Sequence, residues 1–276
     1  MNQHLEIGLH WIAVAFYCLS AILYIYGFVF RKDRAFKWAL VAAVCGLIPH
    51  TAALGLRWYV TGHGPYLRRY EVLSSNVWVG LVMFILVQRI KPVLRPFGAV
   101  VMPVSFLLIG LAVLSSPETH PLPETFQTFW LLVHILFAKL AYGSCLIATA
   151  LAGGYLLLQG GGRLQQKWAG RLPAPGIIDE FSYRFTGFGF MMIGIMIAAG
   201  AIWANDAWGS YWSWDPVETW SLLSWVVYGL YLHLRRMHGW RGRKAAWYTM
   251  IAFLLLLFTI FGIGLIYVSE HSPYMN

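Results

Sequence analysis

The sequence predicts an all-α, polytopic integral membrane protein with about eight transmembrane helices and both termini external. Three observations carry that expectation. Of 276 residues, 59% are hydrophobic, 17% aromatic and only 11% charged, far from the composition of a soluble domain. Eight apolar runs are each long enough to cross about 30 Å of hydrocarbon as helices, which satisfy their own backbone polar groups in lipid. The basic residues also alternate from loop to loop, with 16 of the 20 Lys and Arg on one side.

The first run, near 9–30, is followed by Arg31, Lys32, Arg34 and Lys37, which puts that loop inside. It is long enough to span and has no positive segment before it, so it is expected to stay as a helix and not to be removed as a signal peptide. The second run, 38–58, leads outward to a dense segment, TGHGPYLRRYE at 61–71, and the third covers 72–90. Arg89, Lys91 and Arg95 then mark an inner loop before the fourth run, 97–114. The fifth, 128–158, precedes Arg163, Lys167 and Arg171, and Arg184 opens the sixth, 182–205. The glycine-rich QGGGR between them, at 159–163, reads as a flexible connection, because a phosphate-binding loop needs a strand before it and a helix after it. The seventh run, 216–234, ends in Arg235, Arg236, Arg241, Arg243 and Lys244, and the eighth covers 245–268. Outside the inner loops lie only Arg57, Arg68 and Arg69, with Lys139 inside a span.

No hydrophilic stretch is long enough for a second domain and no internal repeat is evident. Residues 1–276 are therefore expected to form a single membrane domain with an external segment at 206–220. Cys18, Cys45 and Cys145 each sit in an apolar run and form no CxxC, so neither a thiol relay nor a metal site is implied. The net charge of +9 is explained by the inner loops, so no nucleic-acid partner is expected.

The most distinctive stretch is Trp208 to Trp220, WGSYWSWDPVETW, whose only charges are acidic. Asp215, Pro216 and Glu218 have the form of a helix start: an Asp cap, Pro at the first helical position and Glu three residues after the cap. Trp208, Trp212 and Trp214 lie just before it and make a flat aromatic surface between two apolar helices. An ordinary interfacial belt also enriches tryptophan. It does not account for the tight packing of the motif or for the Asp-Pro-x-Glu behind it.

This stretch resembles the tryptophan-rich WWD signature, roughly WGxxWxWDxxE, of the haem-handling proteins of cytochrome c biogenesis. Trp208, Gly209, Trp212, Trp214, Asp215 and Glu218 meet every fixed position. TGHGPYLRRYE resembles the G-x-x-P...YE segment of the system II (CcsA/ResC-type) branch, with Arg69 where that branch usually has asparagine.

Four histidines are singled out by depth. His134 lies four residues past Trp130, about one turn below the outer surface, and His271 follows the last span by about three residues. Two imidazoles beside the tryptophan surface make a bis-histidine haem site plausible, although a lone histidine at a helix end is most often a hydrogen-bonded structural residue. His233 lies 17 residues beyond Pro216, about 25 Å along the helix axis, towards the inner leaflet. His50 lies eight residues from Trp58, about 12 Å in from the outer end. An ionisable residue at such depth is a functional candidate, with packing as the other reading. The difference in depth between His233 and His50, about 10 Å by helix rise, points to a ligand opposite His233 from another polypeptide.

The order and topology of His134, His233 and His271 match the system II branch. The system I delivery protein is shorter and the system I synthase much longer. By this resemblance the protein takes haem b from the cytoplasmic side and moves it to an external site holding His134, His271, Trp208, Trp212, Trp214, Asp215 and Glu218. There it presents reduced haem to an apocytochrome c carrying CxxCH, for covalent thioether attachment. Such proteins act with a second membrane subunit bearing a large external domain (CcsB/ResB-type), in the bacterial cytoplasmic (inner) membrane with the active face external, so the synthase (haem lyase) activity belongs to a complex. The alternatives are a haem exporter or chaperone without ligation, like the system I delivery protein, and a cytochrome b-like electron carrier. A carrier of that kind usually pairs histidines at fixed spacing on the same helices, which is not seen here.

Overall fold

A computed structural model describes residues 2–119, 121–161, 166, 168 and 170–267, and the chain is helical with no strand among them. The long helices are α1 (Asn2–Phe30), α2 (Asp33–Thr61), α3 (Arg69–Ile90), α4 (Gly98–Leu114), α5 (Phe129–Gln159), α6 (Pro175–Trp208), α7 (Pro216–Met237) and α8 (Arg243–Leu257). The chain of α8 runs on through a π-helical turn, Phe258–Gly262, into Ile263–Ile266. Among the described residues seven helical segments are long and apolar enough to cross a membrane, the protein being a multi-pass helical membrane protein. The exception is α7. At 22 residues it has the length of a span, but Glu218 in its first turn and Arg235 and Arg236 in its last lower its apolarity.

Several helices outrun the apolar runs, because a helix continues wherever its end groups find partners. The α2 helix passes Trp58 and stops at Gly62, whose φ of 74° returns its N–H to Trp58 O. Arg57 is consequently no loop residue but lies inside the bundle, 1% exposed. The α6 helix starts at Pro175, seven residues before the expected 182, with proline at the position where a missing N–H costs nothing. Its first turns carry Asp179, which accepts from both terminal nitrogens of Arg235 at 3.0 and 2.8 Å and from Gly242 N at 3.0 Å. That arrangement ties the start of α6 to the end of α7 and the turn into α8.

The chain divides into two compact units, Met1–Leu122 and Pro123–Asn276. In the first, α1 lies against α2 and α4. Ala39, Ala43 and Gly46 give α2 a small-residue face, and a Cβ at Gly46 would stand 2.6 Å from the Tyr17 ring. Within its apolar packing this unit buries a set of polar side chains: Glu6, His10, Ser20, His50, Arg57, Glu71, Ser74 and Gln88. In the second unit α5 lies along α6, and the core is apolar, built on Cys145, Met192, Ile193, Met196, Ala252 and Leu256. Cys145 is buried, with Cys18 and Cys45 partly so, and all three are free thiols.

Candidate functional site

Around the tryptophan stretch, local chemistry sets the geometry first. Gly209 ends α6 with φ 75° and returns its N–H to Asn205 O at 2.9 Å, so the chain leaves the helix sharply. Six residues later Asp215 starts α7: its Oδ1 accepts from Val217 N at 2.8 Å. Glu218 Oε2 reaches back to Asp215 N at 3.3 Å and Ser213 N at 2.9 Å, completing a capping box. Both carboxylates therefore hold backbone. Between the two helix ends, Trp214 is held at φ 59°, a left-handed conformation that costs a side chain about 1–2 kcal/mol. It is 70% exposed and stands edge-on to Trp212, ring centroids 5.7 Å apart.

Beneath this loop lies a cleft of about 410 Å3, counting its open mouth, walled by Trp203, Trp208, Trp212 and Glu218, with His134 on its α5 side. Trp203 is fixed by donating Nε1–H to Thr125 O at 2.8 Å and by edge contacts with Phe126 and Trp208, at 5.2 and 4.9 Å between centroids. The His134 ring lies 6.2 Å from that of Trp203.

His134 is oriented by α6. Its Nδ1 lies 2.9 Å from Met196 O, an acceptor only, so Nδ1 carries the proton and the neutral ring has its lone pair on Nε2. A backbone carbonyl on the far nitrogen is how proteins commonly set the tautomer and aim of a metal-binding imidazole. Gly200 makes the approach possible, since a Cβ there would stand 2.6 Å from Nδ1. The cleft brings one imidazole beside three indoles, and among the described residues no group of three or more His, Cys, Asp or Glu forms a bare metal site.

The structure thus gathers His134, Trp208, Trp212 and Glu218 at one cleft, with Trp214 and Asp215 on the loop above. His271 lies outside the described residues. His233 is exposed on the last turns of α7, its ring 5.7 Å from that of His238. Arg184, near the start of α6, pairs with Glu180 at 2.8 Å on an exposed face. His50 is fully buried with both ring nitrogens engaged, Nδ1 with Tyr17 Oη at 3.0 Å and Nε2 with Ser74 Oγ at 2.9 Å. Sequence reasoning missed Trp203, Met196 and Gly200. Trp203 sits outside the signature, and only its place five residues before Trp208, across more than one turn of the same helix, hinted that the aromatic wall continues into α6. Nothing in the sequence marks Met196 or Gly200, whose roles are a carbonyl and the lack of a side chain.

The fold and the cleft define a multi-pass helical membrane protein with an orientated imidazole under a wall of indoles. The family model for Cytochrome C assembly protein matches residues 66–269, and the chain belongs to that family. It is 32% identical to the cytochrome c biogenesis protein CcsA of Guillardia theta over 92% of this chain and 91% of that protein. The corresponding figures for CcsA of Synechococcus sp. (strain CC9902) are 33%, 84% and 85%, and for CcsA of Chlamydomonas reinhardtii 35%, 79% and 63%. Its fold is similar to a solved structure of the cytochrome c heme lyase CcmF, with a TM-score of 0.69 and 18% identity, covering 99% of this chain and 48% of that one.

Proposed function

We propose that the protein binds haem b at the indole-walled cleft and presents it to apocytochrome c, as the haem-handling subunit of a system II cytochrome c synthase. The observation that carries this reading is the His134 imidazole, whose Nδ1 is held by Met196 O and whose side chain lines one cleft with Trp203, Trp208 and Trp212. The family is one of cytochrome c assembly, and relatives named as cytochrome c biogenesis proteins support it over nearly the whole chain.

In this reading His134 and His271 would be the residues that hold the haem iron. Trp208 and Trp212 cover the macrocycle face, while Trp214 extends the surface outward. Asp215 and Glu218 act indirectly, by holding the loop and the start of α7 in place. Bound there, haem supplies two vinyl groups, across each of which a cysteine S–H of the CxxCH segment adds to form a thioether. What the chain provides is position: two partners held together react as though highly concentrated. The cleft faces outward, with both termini external and the basic loops inside. His233, exposed on α7, takes part in an inner haem site whose opposite ligand comes from the second membrane subunit.

The test is to co-express the chain with and without the candidate second subunit and a CxxCH reporter, and to stain for covalent haem. Covalent haem only in the three-component strain is expected; haem carried by the chain with the reporter left unmodified in every strain identifies an exporter or chaperone. In the purified protein, His134→Gly should lose bound haem or lower its redox potential, with imidazole restoring it. An unchanged haem spectrum in His134→Gly/His271→Gly removes the axial assignment.

A further inference from the structure

Glu218 holds the tryptophan loop with one oxygen and leaves the other free. Its three hydrogen bonds, from Ser213 N at 2.9 Å, Ser213 Oγ at 3.3 Å and Asp215 N at 3.3 Å, all end on Oε2. Oε1 takes no hydrogen bond and is not buried. The side chain is half-buried and lines the cleft together with His134, Trp208 and Trp212. It cannot swing away, because the bonds to Oε2 tie it to the backbone on which α7 starts.

We propose, resting on the reading of the cleft given above, that Glu218 is a catalytic base and acid for thioether formation. Its Oε1 takes the proton of a cysteine thiol in the incoming CxxCH segment and gives it to a haem vinyl group. Two features favour chemistry over capping alone. Of the residues lining the cleft, only His134 and Glu218 carry or release a proton near neutral pH. His134 has Nδ1 on Met196 O and, in that reading, its other nitrogen on the iron, so Glu218 is the one left. The second feature is the absence of a cation: no Lys or Arg lines the cleft, so Oε1 has no ion pair to make there. An anion in that wall also repels the haem carboxylates. What a fixed, unpaired carboxylate oxygen can do is accept from a donor that arrives with the substrate, and the thiol is such a donor.

The step balances without another reactant. The S–H bond breaks as its proton moves to Oε1, which leaves the electron pair on sulfur. The terminal vinyl carbon takes the proton from the carboxylic acid, using the π pair of the C=C bond. The sulfur pair forms the C–S bond at the ring-side carbon, and Glu218 is a carboxylate again. One S–H and one π bond are lost; one C–H and one C–S bond are gained. A positioned proton carrier of this kind contributes about 10²–10⁴-fold to a rate.

The experiment uses the full chain purified with its second membrane subunit and loaded with haem, to which a reduced CxxCH peptide is added. Haem content, haem spectrum, melting temperature and the initial rate of thioether formation are measured. Glu218→Gln is the informative variant, because glutamine also completes a capping box and lacks only the proton chemistry. Its haem content, spectrum and melting temperature should stay close to wild type, while the rate per bound haem falls roughly hundredfold. Glu218→Ala removes cap and base together, so it should bind less haem, and added formate should raise its rate per bound haem without affecting wild type. A Glu218→Gln rate equal to wild type, or one that falls only as haem content falls, would overturn the proposal and leave Glu218 as a cap. No thioether with the wild-type complex is a different failure, and it would overturn the reading of the cleft itself.

Discussion

The two units place histidine in opposite chemical situations. In the first, His50 and His10 sit among buried polar groups, where ring nitrogens meet hydroxyls, a carbonyl and each other's partner Ser74. In the second, His134 stands at the edge of an apolar core, with one nitrogen on Met196 O and an indole-walled cleft beside it. Depth in the membrane does not separate these cases, although depth is all that a linear sequence offers. The difference lies in the neighbours. A buried imidazole between two hydroxyls has both nitrogens engaged within the bundle, whereas His134 is orientated by a carbonyl at the wall of a cleft.

If the first unit depends on its polar network, Arg57→Ala should produce the largest loss. It removes the cation from Glu71 and Glu6, leaving two carboxylates buried, at a cost of about 3–5 kcal/mol. The expected result is little folded protein in detergent and a strongly lowered melting temperature. A wild-type melting curve would show that the interior is less polar in its energetics than in its composition.

Gly200→Ala probes the second unit by the same logic in an apolar setting. The added methyl, 2.6 Å from His134 Nδ1, forces the ring off the Met196 carbonyl at about 1–3 kcal/mol. Haem content should fall well beyond what that loss of stability explains, and free imidazole should recover it. Full haem content with an unchanged spectrum would detach His134 from the cleft's role.

A smaller effect of opposite sign is expected at the loop. Trp214→Gly relieves the left-handed backbone by about 1 kcal/mol, so the melting temperature should hold or rise while haem retention falls. Retention equal to wild type would reduce Trp214 to a membrane-interface residue. The smallest change is Asp215→Asn, which keeps a capping oxygen and should alter stability by less than about 1 kcal/mol, with haem retention close to wild type. A large loss of haem there would mean that the Asp215 charge acts on the ligand as well as on the helix.

Much of the architecture was legible because it depends on one-dimensional quantities. Apolar run lengths located the helices, and the pattern Asp215, Pro216, Glu218 located the start of α7 to the residue, since a capping box is a contact between near neighbours in sequence. The same spacing pinned the tryptophan loop between two helix ends. Helix limits were less legible at Arg57 and Asp179. Arg57, counted with the loops, is held inside the bundle by Glu71, and α6 starts before its apolar run where Asp179 meets Arg235 from a distant segment.

What the sequence determined by itself was the class: a helical membrane chain with a tryptophan motif and a capped helix behind it, each written in composition or in spacings of a few residues. What only the tertiary structure decided was the state of each histidine. For His134 the nitrogen that keeps its proton is set by a carbonyl from another helix, Met196 on α6, and His10 and His50 share a partner only because Ser74 on α3 reaches both. Those partners are 62, 64 and 24 residues away along the chain, and no local pattern encodes a meeting that helix packing alone creates.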